Sequence, residues 1–305
     1  MTDPYAQLRN LPLLATPETC SGRTYIVTGA NTGLGLEAAK HLVALGSAKV
    51  ILAVRNLASG DEAKAKIEAS TGITTVAEVW RLDLADYASI KSFCDKALAT
   101  LPRLDGLICN ASIASQSGEL INGHNPNVAV NVLGTFLAAV LLFPKLSQTA
   151  QDQSPTAAPS HLAFVCSRAG FEDHAAQPWN AIKDDPLVHL QNAAAAVDNK
   201  PGDENGVPLT ASAYPLSKLI ETLSARHLAT LLPVDKTRVV ITSVCPGVCI
   251  TDLDRSAPPE FRSHLAEIRE RIGRTAEDGS RTLLHAAVAG EEAHGVFLHS
   301  CGVGE

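Results

Sequence analysis

The stretch TYIVTGANTGLGLEAAKHL, Thr24–Leu42, runs from five β-branched or aromatic residues through three glycines into a pattern of helical spacing. Gly29, Gly33 and Gly35 fall between the predicted strand and the predicted helix, spaced Gly-x-x-x-Gly-x-Gly. A turn of this kind combines a tight bend, close backbone approach and a helix N-terminus aimed at pyrophosphate. Glycines alone are weak evidence, but their place after a strand and before a helix points to a dinucleotide. Asn31, Thr32 and Leu34 lie among the glycines and complete the candidate phosphate turn.

Outward from this turn, short branched runs alternate with longer helical patterns. Residues 24–28, 49–54, 75–80, 105–110, 161–166, 238–244 and 294–300 read as strands. Helical segments are expected near 34–46, 58–69, 86–100, 126–148, 211–232 and 276–289. The repeat implies right-handed crossovers and a doubly wound, mostly parallel seven-stranded sheet with helices on both faces. One domain over residues 23–305 is expected, after a leader of residues 1–22. Gly170–Pro208 breaks the rhythm with Asp, Asn, Pro and Gly, and reads equally as a functional lid or a mobile surface loop.

Composition narrows the partners. The formal charge is -7 and no Lys/Arg run occurs, which argues against nucleic acid and a polybasic membrane patch and for a small-molecule substrate. Seven scattered cysteines, mostly in apolar runs, read as reduced core thiols, and neither CPGVC (245–249) nor the ten histidines form a metal-ligand set. The N-terminus has early acid and prolines rather than a signal-peptide core, and Val132–Phe143 is too short to span a bilayer, so a cytoplasmic protein without membrane insertion is expected. The Asn110–Ser112 sequon is then incidental. No Gly-x-Ser-x-Gly elbow supports a serine hydrolase.

The second predicted strand ends in Arg55 and Asn56, with no carboxylate before Asp61. A carboxylate there would hold the ribose hydroxyl of NAD, whereas an arginine accommodates the extra phosphate of NADP. NADP(H) is the expected cofactor. Further on, AYPLSK places Tyr214 and Lys218 one helical turn apart, so their polar ends can share one small volume.

TGANTGLG (28–35), LDLAD (82–86), CNAS (109–112), VNVLGTF (130–136), FVCSRAG (164–170), YPLSK (214–218) and CPGVCITDL (245–253) occur in one order over nearly the whole chain. Together they resemble the short-chain dehydrogenase/reductase family, nearest to its retinol-dehydrogenase-like and fungal carbonyl-reducing members. The resemblance implies a Rossmann fold and a catalytic tetrad of Asn131, Ser167, Tyr214 and Lys218. It also implies that Asp83, beside Leu84, meets the adenine, that Asn110 and Ala111 support the cofactor, and that Thr251, after Pro246, Gly247 and Val248, holds the nicotinamide carboxamide. One departure is Ser112, where the family has glycine.

The resemblance further implies a helix distortion at Asn131 that binds water and links Lys218 to solvent; an amide satisfied by neighbouring backbone would use the same geometry. Ser167 and Tyr214 are 47 residues apart in sequence, far more than in compact family members. The insertion 171–209 is expected to cover the substrate mouth, hinder dimerisation, or both, leaving a monomer or homodimer. The segment 256–272 matches the family's mobile substrate-closing element. The activity implied is NADPH-dependent reduction of a ketone or aldehyde on a fairly apolar molecule, in fungal secondary metabolism, with the reverse alcohol oxidation left open. Alternatives are an epimerase or cyclase without net redox, and an NADPH-sensing binding protein.

Overall fold

Strand β1 (Thr24–Thr28) is buried at every residue, turning Tyr25 and Val27 to one face of the sheet and Ile26 to the other. That is the pattern of a central strand covered on both sides. The computed structural model describes residues 7–117, 119–152, 158–172, 175, 179–180, 182–186, 209–255, 257 and 259–303, with backbone alone for 209–212. A four-residue helix α1 (Pro17–Cys20) precedes β1. After β1 come α2 (Gly33–Ala44), β2 (Lys49–Val54), α3 (Leu57–Thr71), β3 (Ala77–Arg81), α4 (Tyr87–Thr100) and β4 (Gly106–Cys109). A π-helical segment (Val128–Gly134) runs directly into α5 (Thr135–Gln151), then β5 (Ser160–Val165). The chain closes with α6 (Leu209–Leu231), α7 (Val234–Thr237), β6 (Val239–Cys245), α8 (Pro259–Ile272), α9 (Ala276–Ala286), β7 (Phe297–His299) and β8 (Gly302–Val303).

The strand order is β3-β2-β1-β4-β5-β6-β7-β8. β1 through β7 pair in parallel, as expected, but the sheet has eight strands rather than seven. The eighth is a two-residue strand turned back antiparallel on β7 through Ser300 and Cys301, both at positive φ. Two residues carry no readable alternation, and Ser-Cys is not a pair that announces a left-handed turn. β3 and β7 also begin two and three residues later than their sequence patterns, at Ala77 and Phe297.

One face of the sheet packs Ala38, Leu42 and Val43 of α2, Ala63 and Ile67 of α3, and Leu283 and Leu284 of α9. The other packs Ile90 and Phe93 of α4, Leu142 and Leu146 of α5, and Ala225 and Ala229 of α6. The run Val128–Gln151 is longer than the apolar stretch read from sequence, and by length and composition alone could cross a membrane. Here it is a core helix: Asn131, Thr135 and Thr149 are buried, and Thr149 Oγ1 accepts from Leu104 N–H at 2.9 Å.

The strand order reverses between β1 and β4, which opens a crevice at their C-terminal ends. Most of the insertion 171–209, and with it the expectations of a lid and of hindered dimerisation, lies outside the described residues. Of the part described, Ile182 and Trp179 pack with Val128, Val132, Leu216 and Ile220.

Candidate active site

Gly29, Gly33 and Gly35 form the floor of this crevice. Gly29 has φ +66° and Gly33 φ +57°, a region that L side chains rarely adopt. A Cβ on Gly29 would lie 2.9 Å from Ala111 Cα, and one on Gly35 would lie 2.5 Å from Asn110 Nδ2. The glycines thus let β4's end press against the turn. Asn110 Nδ2 donates to Thr28 O at 2.8 Å, and Ala111 N donates to Thr28 Oγ1 at 2.9 Å, locking the two strand ends together. Asn31 is partly exposed, Thr32 is exposed just before α2, and Leu34 packs against the core. A bare cradle at a helix N-terminus suits a pyrophosphate, so the residues fit a dinucleotide.

The remaining cofactor candidates surround the same edge. Arg55 is exposed immediately after β2, and Asn56 caps α3 by accepting from Ser59 N at 3.2 Å. Asp83 folds its carboxylate onto Ala85 N at 3.0 Å, while Leu84 is buried. A Cβ on Gly33 would sit 3.4 Å from Thr251 Cγ2, so the far loop closes over the phosphate turn.

That loop, Pro246–Thr251, is clamped by residues the sequence gave no reason to single out. Gln7 donates to Val248 O at 2.7 Å and accepts from Val248 N at 3.0 Å. Buried Arg274 donates to Pro246 O, Leu8 O and Ser300 Oγ, each at 2.7 Å. Gly247, at φ +80°, leaves the space both side chains use. The described end of the leader therefore supports the loop that carries Thr251.

The tetrad residues converge at the ends of β4, β5 and α6. Ser167 follows β5 and its Oγ accepts from Ala169 N at 3.2 Å. Gly170 allows this turn to touch the backbone of Lys218 and Leu219, where a Cβ would come within 2.7 Å of Leu219 N. Lys218 Nζ lies 6.0 Å from the Tyr214 ring centroid and donates to Val165 O at 2.8 Å. Burial pushes the Tyr214 phenol up, while the Lys218 charge and a hydrogen bond with Ser167 pull it back. Burial wins, and the phenol keeps its proton at neutral pH.

Asn131 is fully buried inside the π-helical segment. Its amide oxygen accepts from Ile113 N and its nitrogen donates to Ile113 O, both at 2.9 Å, with a further bond to Ser217 Oγ at 3.0 Å. Asn127, one turn earlier, treats Ser115 the same way, at 2.9 and 2.8 Å. The expected distortion is present, and the amide is satisfied by backbone. Ser217 also donates to Tyr214 O at 2.7 Å, which ties Asn131 to the turn of α6 that holds Tyr214.

Comparison with known proteins bears on the family and the fold. The short chain dehydrogenase family model matches residues 23–179. The chain is 37% identical to a short chain dehydrogenase/reductase of Cryptosporiopsis sp. over 93% of its length and 83% of that protein. It is 38% identical to a short chain dehydrogenase of Emericella nidulans, over 90% and 82%. In fold it is similar to a short-chain type dehydrogenase/reductase of Mycobacterium marinum, with TM-score 0.66 at 20% identity, covering 92% and 94%. It is also similar to a short chain dehydrogenase of Shigella flexneri 2a complexed with NADP, with TM-score 0.63 at 21% identity, covering 93% and 99%.

Proposed function

The chain belongs to the short-chain dehydrogenase/reductase family, and from that premise we propose that it reduces a ketone or aldehyde on a fairly apolar small molecule with NADPH. The observation that carries the reading is the pairing of Tyr214 with Lys218, whose Nζ lies 6.0 Å from the phenol ring centroid, with Ser167 among the groups that act on the same phenol. A phenol that keeps its proton at neutral pH is in the form needed to protonate a carbonyl oxygen.

When bound, a nicotinamide cofactor supplies the hydride. Gly29, Gly33 and Gly35 would receive its pyrophosphate, Asp83 and Leu84 its adenine end, and Asn110, Ala111, Pro246, Gly247, Val248 and Thr251 its nicotinamide end. Tyr214 donates its proton to the substrate oxygen, and the Ser167 hydroxyl donates a second hydrogen bond that stabilises charge developing there. Lys218 supplies the positive charge that steadies the phenolate left behind. Exposed Arg55 supports NADP(H), since a guanidinium pairs with a ribose phosphate where a carboxylate would repel it.

The fungal source of the similar proteins supports a substrate from fungal secondary metabolism. The seven free cysteines, six of them buried, favour a reducing compartment, and we place the enzyme in the cytoplasm as a monomer or homodimer. The test is nicotinamide oxidation with NADPH and then NADH across a carbonyl panel. Turnover should be faster with NADPH than with NADH and fall by about 100-fold or more in Tyr214→Phe. Undiminished turnover in that variant removes the assignment.

A further inference from the structure

Glu221 lies three residues beyond Lys218 on α6 and is 1% exposed. Its Oε2 stands 2.7 Å from Lys218 Nζ, and Lys218 itself is 2% exposed. Two of the three ammonium donors are thereby committed, one to Glu221 and one to Val165 O. We propose that Glu221 is the counter-ion that fixes Lys218 as a buried ammonium beside Tyr214, a positioning residue acting on the phenol through the lysine. The proposal rests on reading Tyr214 and Lys218 as the proton-transfer pair.

An isolated ammonium in this place would be costly, because burial disfavours the charged form of lysine. Burial indeed works to lower the Lys218 pKa, yet the Glu221 carboxylate, with smaller help from Tyr214 and Cys166, raises it above the ordinary lysine range. Glu221 is pushed up by its own burial and held down in part by Lys218.

The other titratable groups around the pair are thiols. Cys109 ends β4, Cys166 follows β5 and Cys245 ends β6, and burial raises all three, so they stay neutral. Arg168 acts on Cys245. Asn131 faces the pair's helix from the π-helical segment, bonded to Ser217 of that same helix, and both are neutral. Glu221 is thus the carboxylate that balances Lys218.

Glu221→Gln keeps the shape and removes the charge. Without its counter-ion, Lys218 loses its proton at lower pH, and at the pH where the phenol titrates it no longer offers a positive charge. The Lys218 charge acts on Tyr214 more strongly than that of Glu221 does, so the net effect is a phenol that ionises at higher pH.

The experiment needs no substrate, which separates its failure from that of the functional reading. The Tyr214 midpoint is taken from phenolate absorbance of the full chain minus that of Tyr214→Phe. Lys218 is followed by NMR of lysine labelled at Cε, assigned with Lys218→Arg. In Glu221→Gln the Lys218 midpoint should fall, and the Tyr214 midpoint rise, by about one pH unit or more. Glu221→Asp, which retains the charge, should return both toward wild type. A Tyr214 midpoint that stays or falls, or Asp and Gln variants that behave alike, overturns the proposal. If Glu221→Gln does not fold, Lys218→Met combined with Glu221→Gln should fold, because no stranded charge remains. Failure of that double variant also overturns it.

Discussion

Asn131 and Ile113 are joined by two 2.9 Å hydrogen bonds that make the amide side chain a stand-in for a neighbouring strand. The third bond, to Ser217, carries the same amide across to the turn that holds Tyr214. Asn131→Ala leaves the Ile113 N–H and carbonyl without partners and should cost about 2–3 kcal/mol, read from urea unfolding. Asn131→Asp should be worse at neutral pH, since a carboxylate faces the Ile113 carbonyl. Its folded-state pKa then lies above the unfolded value, so the deficit relative to wild type shrinks as pH falls toward about 4. A variant whose deficit against wild type is the same in acid as at neutral pH contradicts this reading of the amide's orientation.

The phosphate turn gives the next expectation. Gly35 has no room for a side chain: an added Cβ would lie 2.5 Å from Asn110 Nδ2 and 2.7 Å from Gly29 O. Gly35→Ala must therefore push the ends of β1 and β4 apart. NADPH affinity measured by calorimetry should drop at least about tenfold, a loss of about 1.4 kcal/mol. The sheet should survive, with far-ultraviolet dichroism unchanged. Wild-type affinity would show that the turn does not receive the cofactor.

Arg55 tests cofactor choice separately from catalysis. It is exposed after β2, so its guanidinium is available to a ribose phosphate. Removing a charge-assisted hydrogen bond costs about 1.5–3 kcal/mol, or about 10–100-fold. Arg55→Ala should lose that much in kcat/KM with NADPH and little with NADH. Equal losses with both would mean that Arg55 does not read the 2'-phosphate.

Some of these features are written in local sequence and others only in the packing of the fold. Tyr214 and Lys218 were legible because one helical turn makes them neighbours whatever the packing. The glycine turn was legible because strand, bend and helix follow one another in sequence. Glu221 was not: a Glu three residues after a Lys usually marks a solvated helix face, and only packing against β4, β5 and β6 turns this face inward. Asn127 reads only as the first turn of an expected helix until Ser115 is laid beside it. Gln7 and Arg274 act on Pro246–Val248 across 241 residues in one case and 28 in the other, separations that no local pattern encodes. β8 is too short to have a pattern at all.

His161, at the opposite end of β5 from Ser167, provides a pH dependence unrelated to catalysis. It is 2% exposed, and its Nε2 lies 2.9 Å from Ala289 O. Because a carbonyl can only accept, Nε2 carries the ring proton, and Nδ1 has no partner. Burial lowers its pKa to about 4, against an ordinary value of 6.5. Between those values the unfolded chain binds a proton that the native protein refuses, so stability falls as pH drops. From pH 7 to about pH 4 this one group should remove about 3 kcal/mol. His161→Gln keeps a side-chain N–H for Ala289 and cannot titrate. Unfolding measured across that range should show a shallower acid slope in the variant, by about that amount. Parallel slopes would mean that His161 is already protonated in the native state or reaches solvent.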